Sequence, residues 1–192
     1  MTDPLAKLFG SNARVKLLRL FLFNSRQSFT VGEAAARTLV PALDAKREIE
    51  LLLRVGVIER TARGRGLRYI LSAGLPYLTP LQQLLLNSSA RGEDLVERLR
   101  GVGSLKFIVV AGIFVGEWDG RLDVLLAGDR VKERILRERM RRLEAELGRE
   151  LRYALLESTD LLYRLTVSDK LLRDVFDYPH HIVLDKLGTG LS

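Results

Sequence analysis

The stretch from Pro41 to Leu71 constrains the fold of this chain most strongly, because it joins a short amphipathic helix, a glycine stop and two strand-like runs. A period of 3.6 residues places four apolar side chains on one helix face: Ala45, Ile49, Leu52 and Leu53. Lys46, Arg47 and Glu50 lie largely on the opposite face. Gly56 tolerates the left-handed backbone and ends the helix. The pattern predicts a helix with one core face, followed by a two-strand ribbon.

The predicted ribbon carries its cations at and beside its turn. The sequence Arg63-Gly64-Arg65-Gly66 favours a tight turn with two arginines on it. Arg68 stands near the start of the second strand. A cationic turn is suited to phosphate or minor-groove contact, and it is also common in soluble hairpins without such a role.

Two further helices are predicted before this stretch. Ser11 precedes a periodic run that ends near Asn24, and the cations of that run, Arg14, Lys16 and Arg19, are expected on its outer side. Thr30 is expected to cap a second short helix, and Pro41 to open the third. The order helix, helix, helix and hairpin within about 70 residues is a known DNA-binding arrangement, because an α-helix fits the major groove.

At family level, the segments LFGSNARVKLLRLFLFN (residues 8–24) and KREIELLLRVGVIER (residues 46–60) resemble ArsR-type winged-helix transcription regulators. The resemblance covers residues 8 to about 72 and implies that double-stranded DNA is the partner. It implies that Lys46 and Arg47 lie on the groove-facing side of the recognition helix and that Arg63 and Arg65 lie on the wing. Arg68 is added to this predicted DNA-binding set. Metal-sensing members use cysteine or histidine clusters, which this domain lacks.

The interpretation of the third helix has an alternative. Asp44, Glu48 and Glu50 stand among its cations, and carboxylates repel phosphate. An ordinary solvated face therefore remains a second interpretation of Lys46 and Arg47.

The rest of the chain predicts a connecting segment and a second domain. The division is 1–74, a winged helix-turn-helix domain; 75–90, a connecting helix and linker; and 91–192, a small mixed α/β domain. In that domain strand-like runs alternate with helical ones: Leu105–Ala111, Leu122–Leu126, Val131–Leu147, Leu151–Leu156, a helix capped by Ser168, and Ile182–Leu184. The predicted class is α+β. The Arg- and Glu-rich helix is interpreted as a solvated, salt-bridged face.

The segment VVAGIFVGEWDGRLDVLL (residues 109–126) resembles the opening of minimal nucleotidyltransferase domains of the polymerase-beta superfamily. Those domains hold a triphosphate on a Gly-Ser turn and a divalent metal on an Asp-x-Asp pair. Asp123 matches the second carboxylate, Arg121 stands in place of the first, and Gly112 is followed by Ile113 instead of serine. The resemblance covers roughly residues 91–188. It implies the fold of such a domain without its metal-dependent reaction.

We therefore expect a non-enzymatic, degenerate domain without metal or cofactor, serving in sensing, dimerisation or partner binding. Two alternatives from other classes stay open. One is an active nucleotidyltransferase that combines Asp123 with Glu117 or Asp119. The other is a protein-interaction module of the antitoxin type.

Composition sets the remaining expectations. The 31 Lys and Arg residues exceed the 24 Asp and Glu residues, giving a net charge of +7 that favours an anionic partner. The absence of cysteine excludes disulfides and thiolate metal sites. No apolar run approaches the roughly 20 residues of a membrane span, and no secretory pattern begins the chain. The overall prediction is a cytoplasmic, homodimeric transcriptional regulator, with a protein partner or a small-molecule effector left open.

Overall fold

The computed structural model describes residues 3–62, 66–87, 94–117 and 120–191. Within these ranges the protein is mixed α/β with two small sheets, which confirms the predicted α+β class. Residue contacts divide the chain into two compact units. The first unit is Met1–Ser89 with Arg141–Glu150, and the second is Ala90–Met140 with Leu151–Ser192.

The first unit contains the predicted order of helices and hairpin. Its elements are α1 (Pro4–Phe9), α2 (Asn12–Phe23), α3 (Val31–Thr38), α4 (Ala42–Arg54), β1 (Ile58–Thr61), β2 (Arg68–Leu71) and α5 (Leu78–Asn87). Ser11 caps α2 as predicted, its hydroxyl accepting from the Arg14 N–H at 3.1 Å. Thr30 caps α3 in a reciprocal capping box with Glu33. Helix α1 was not predicted from the sequence.

The core of the first unit forms around α2. Val15 and Phe21 of α2 are fully buried, and so are Ala34 of α3 and Ile49 of α4. Strands β1 and β2 pair antiparallel. The Tyr69 N–H donates to the Phe29 carbonyl oxygen, and the Phe29 N–H donates to the Tyr69 carbonyl oxygen, both at 2.8 Å. The hairpin is therefore tied to the segment that leads into α3.

Arg19 corrects the expectation of a basic outer side on α2. Arg19 is 1% exposed, and its guanidinium pairs with the Asp3 carboxylate at 2.5 Å. It also donates to the carbonyl oxygens of Leu85 and Glu146, at 3.2 Å each. Burial lowers the pKa of Arg19, and Asp3 opposes that shift. The side chain therefore joins separate segments of the first unit and does not face solvent.

The second unit is built on one mixed sheet. Its elements are α6 (Leu95–Arg98), β3 (Ser104–Val110), β4 (Val124–Asp129), α7 (Glu133–Leu147), β5 (Tyr153–Leu156), α8 (Ser158–Thr166), α9 (Lys170–Phe176) and β6 (His181–Asp185). The strand order is β5-β4-β3-β6, with β4 and β5 parallel and the other pairs antiparallel. Phe107 and Leu125 of the sheet pack in one cluster with Leu161 of α8 and Leu172 of α9. Helix α7 begins in the second unit and ends in the first.

Two predictions for the C-terminal region need correction. Ser168 does not cap α9: it has a left-handed backbone with φ of 51°, and Asp169 accepts from the Leu171 N–H at 2.9 Å instead. Helix α8 was not predicted. In the described part of the chain, no helix combines the length and the apolar character that crossing a membrane requires.

Candidate functional site

Helix α4 separates a buried face from an exposed one, as the sequence predicts. Ala45 and Ile49 have no exposed surface, whereas Lys46, Arg47 and Glu50 are exposed. The Arg47 side chain is 70% exposed, and its Nη1 lies 3.9 Å from Oδ1 of Asp44. An exposed pair at that distance is weak. The Arg47 guanidinium is therefore accessible to an external acceptor.

The acidic residues of α4 differ in their surroundings. Glu48 is paired with Arg14 of α2 at 2.8 Å, and the Glu48 side chain is only 13% exposed. Arg14 also donates to the Phe9 carbonyl oxygen at 2.6 Å. The Glu48 carboxylate thus contributes to packing between α2 and α4, and the carboxylate of Glu50 remains on the exposed face beside the cations.

The beginning of α4 is open to solvent. Pro41 occupies the N-cap position and provides no side-chain hydrogen bond to the first turn. The Leu43 side chain on that turn is 61% exposed. Helix N-termini carry unpaired N–H groups and a partial positive charge, both of which suit an anionic acceptor.

The hairpin cations divide into two groups. Arg63 and Arg65, predicted on the wing, lie outside the described residues. Arg68 lies within the described residues, and its guanidinium is hydrogen-bonded within the protein. Its Nη2 donates to Glu33 Oε2 and to the Ser28 carbonyl oxygen at 2.7 Å each, and its Nε donates to Ser28 Oγ at 3.0 Å. These bonds attach β2 to the start of α3. They give Arg68 a packing role that the sequence did not indicate.

The capping box and this ion pair share one carboxylate. The Thr30 N–H and the Arg68 guanidinium both lower the pKa of Glu33. A carboxyl group whose pKa is lower in the folded state than in the unfolded state stabilises the fold. This stabilisation is complete above the unfolded-state pKa and is lost as the pH falls through the folded-state pKa. Stability from this contact is therefore expected to be complete at neutral pH and to fade in acid.

Arg68→Ala is expected to lower the free energy of unfolding of the first unit by about 1–2 kcal/mol, because it removes hydrogen bonds from a charged donor to Glu33 and Ser28. Urea denaturation at neutral pH measures the loss. The difference from the wild type should shrink in acid, as the pH falls through the lowered pKa of Glu33 and its carboxylate becomes protonated. Arg60→Ala, which removes an exposed arginine from the neighbouring strand, is the control and should change stability by less than about 0.5 kcal/mol. Equal losses in the two variants would contradict this role.

In the second unit, the Asp123 carboxylate is buried and bonded on both oxygens. Oδ1 accepts from the Ile113 N–H at 3.1 Å, and Oδ2 accepts from the Arg152 N–H at 2.8 Å. The Arg152 guanidinium lies at 3.2 Å from Oδ2. Asp123 is 0% exposed. The carboxylate thus connects the turn after β3 to the segment that enters β5.

Gly112 permits this arrangement. It begins the 3₁₀ turn Gly112–Val115 with a left-handed backbone, φ of 52°. A Cβ at this position would overlap Oδ1 of Asp123 and would lie 2.9 Å from the Leu122 carbonyl oxygen. The close approach of Asp123 and the left-handed backbone explain the glycine here.

An adjacent cleft of about 290 Å³ opens at the same end of the sheet. Its lining combines backbone, apolar and charged groups: Ala111, Gly112, Glu117, Gly120, Arg121, Leu122, Asp174, Tyr178 and Pro179. Arg121 pairs with Asp174 of α9 at 2.8 Å. A cation bound to a carboxylate therefore stands where the family resemblance expects the first metal-binding carboxylate. Asp119, one of the alternative partners of Asp123, lies outside the described residues.

The structure brings Gly112 and Arg121 together at the cleft and directs the carboxylate of Asp123 into protein contacts. Within the described ranges, no group of three or more histidine or acidic side chains is arranged to hold a metal ion. Arg152 and Asp174 were not identified from the sequence. Both act through long-range pairing, which a local motif does not reveal.

Comparison with protein-family models, with curated proteins and with solved structures finds no match to this chain.

Proposed function

We propose that the chain is a DNA-binding transcriptional regulator whose first unit acts as a winged helix. The observation that carries the proposal is the contrast between the two faces of α4. Ala45, Ile49 and Leu52 are buried, while Lys46 and Arg47 are exposed on a helix that follows α2 and α3 and precedes a hairpin. In this arrangement α4 enters the major groove of duplex DNA.

The exposed groups of α4 suit distinct parts of a duplex. Arg47 matches the two acceptors of guanine, O6 and N7, with a bidentate guanidinium, and Lys46 serves the same acceptors or a phosphate. Leu43 offers an apolar contact for a thymine methyl group. The uncapped first turn offers N–H donors to the backbone. Arg63 and Arg65 are proposed as wing contacts, whereas the engagement of Arg68 favours a supporting role.

The second unit is proposed as a nucleotidyltransferase-like domain that serves in sensing, dimerisation or partner binding and not in catalysis. Its mixed sheet and the glycine turn after β3 support the fold. The four contacts of Asp123 with Ile113 and Arg152 support a structural role for that carboxylate. An active enzyme using Asp123 as a metal ligand would have to break these bonds. A homodimer on paired half-sites is proposed for the assembly.

The double variant Lys46→Ala, Arg47→Ala is expected to weaken binding to a duplex selected from genomic DNA by about 10- to 100-fold, because base-edge contacts are lost. Fluorescence anisotropy at fixed salt measures the change. The matched control is Lys7→Ala, Arg26→Ala, which removes the same charge from exposed residues outside α4. An equal decrease in both variants would contradict base reading by α4.

A further inference from the structure

The start of α7 and the residues that lead into it carry more net positive charge than α4. Residues 130–142 contain seven Lys and Arg residues and two Glu residues, a net charge of +5, whereas the whole of α7, Glu133–Leu147, has five Arg and four Glu residues, a net charge of +1. Residues 42–54, which form α4, contain three cationic and three acidic residues and are neutral overall. The start of α7 is therefore a source of electrostatic attraction to a polyanion in addition to the proposed recognition helix.

The structure places several of these cations on one exposed face. Leu136 and Met140 are buried, at 2% and 1% exposure, and fix the inner face of α7. Arg134, Arg137 and Arg141 are exposed and are spaced three and four residues apart. That spacing aligns side chains on one face of a helix. We call these three arginines the α7 row.

Internal ion pairs account for little of the α7 row. Arg137 lies 3.8 Å from Glu133, and both side chains are about 70% exposed, so this pair is weak. Within the part of the chain that the structure describes, neither Arg134 nor Arg141 forms an ion pair. The row is therefore more than a self-neutralised, salt-bridged face.

We propose that the α7 row binds the phosphodiester backbone of duplex DNA as a second, sequence-independent contact. Guanidinium groups match phosphate oxygens with paired donors. Successive cations rise about 4.5–6 Å along the helix, which forms a regular row suited to a polyanion with regular charge spacing. The inference rests on the proposed DNA-binding function, but it concerns a surface separate from α4 and is tested separately.

The test is the salt dependence of binding for Arg134→Gln, Arg137→Gln. Glutamine keeps the side chain long and helix-compatible, so the variant should retain the circular dichroism spectrum and thermal midpoint of the wild type. With a genomically selected duplex and a scrambled duplex as probes, the slope of log affinity against log salt should fall by about 2. Binding at low salt should weaken about 10-fold on both probes, with the preference between them unchanged.

Lys170→Gln, Arg173→Gln on α9 is the matched control, since it removes two exposed cations from another helix of the second unit. An unchanged slope in the α7 variant, or an equal change in the control, overturns the proposal. Retained DNA binding with loss of an acidic protein partner also overturns it. If only the α4 variant loses binding, the proposed function stands without this surface. If only the α7 variant does, this surface stands without recognition by α4.

Discussion

Gly148→Ala is expected to destabilise the first unit by about 3 kcal/mol or more, because two costs combine at this residue. Gly148 follows the end of α7 with a left-handed backbone, φ of 73°, which costs an alanine about 1–2 kcal/mol. A Cβ there would lie 2.5 Å from the Arg19 carbonyl carbon and 2.6 Å from the Leu20 nitrogen. These are backbone atoms of α2, so they cannot move aside as a flexible side chain would, and overpacking adds about 1–3 kcal/mol.

The same segment is held to α2 by polar contacts that depend on this close approach. The Asn24 side-chain amide donates to the Gly148 carbonyl oxygen at 2.7 Å, and Arg19 donates to that of Glu146. Arg37 pairs with Glu150. Displacing Gly148 therefore disturbs neighbouring bonds as well.

Urea denaturation measures the loss of stability, and hydrogen exchange of the α2 amides shows that the loss falls on the first unit. Gly10→Ala is the control, because Gly10 has nearly the same φ of 74° and open space where its Cβ would lie. It should cost only the backbone part, about 1–2 kcal/mol. If the two alanine variants are equally stable, the packing of Gly148 against α2 is not as described.

Asp123→Ala is expected to destabilise the second unit by about 3 kcal/mol, because it leaves the N–H groups of Ile113 and Arg152 without their buried acceptor. Part of the guanidinium of Arg152 reaches solvent, the side chain being 39% exposed, so its charge is rehydrated and limits the loss. Thermal or urea unfolding of the variant measures the change.

The control is Asp174→Ala, which removes the partner of Arg121 at the exposed edge of the cleft and should cost at most about 1 kcal/mol. Asp123→Asn should lower the stability by an intermediate amount. The asparagine keeps one acceptor oxygen for one of the two N–H groups, but its NH₂ group is a donor and cannot accept from the other. A fully stable Asp123→Ala protein would contradict the structural role of this carboxylate and would favour the alternative in which Asp123 takes part in catalysis.

The first unit follows closely from local sequence signals. Ser11 and Thr30 mark helix starts because a hydroxyl must accept from the free N–H groups of the first turn. The apolar period of α4 predicts which of its faces is buried. These signals act over a few residues, so they are readable in the chain without knowledge of the fold.

Contacts between residues far apart in the sequence could not be predicted in this way. Arg19 is predicted at the surface because its charge is costly to bury, yet Asp3 and two distant carbonyl oxygens satisfy it. Nothing near Gly148 in the sequence indicates that the backbone of α2 approaches it so closely. The bonding of Asp123 to Arg152 likewise joins segments 29 residues apart. Only the folded arrangement identifies these partners.

The candidate DNA surface shows the same contrast. The sequence predicts the exposure of Lys46 and Arg47, which the structure confirms, but it treats Arg68 as equivalent to the wing arginines. The ion pair with Glu33 distinguishes Arg68 from them. The sequence also predicts a solvated face on the Arg- and Glu-rich helix, and the structure shows Arg134, Arg137 and Arg141 exposed there.

The most direct test of the central claim is binding of the wild-type protein to duplexes selected from a genomic library, measured by fluorescence anisotropy over a range of salt concentrations. The account predicts saturable binding that weakens steeply with salt, and a preference for a selected duplex over its scrambled form. Absence of binding to every duplex at low salt would contradict the account.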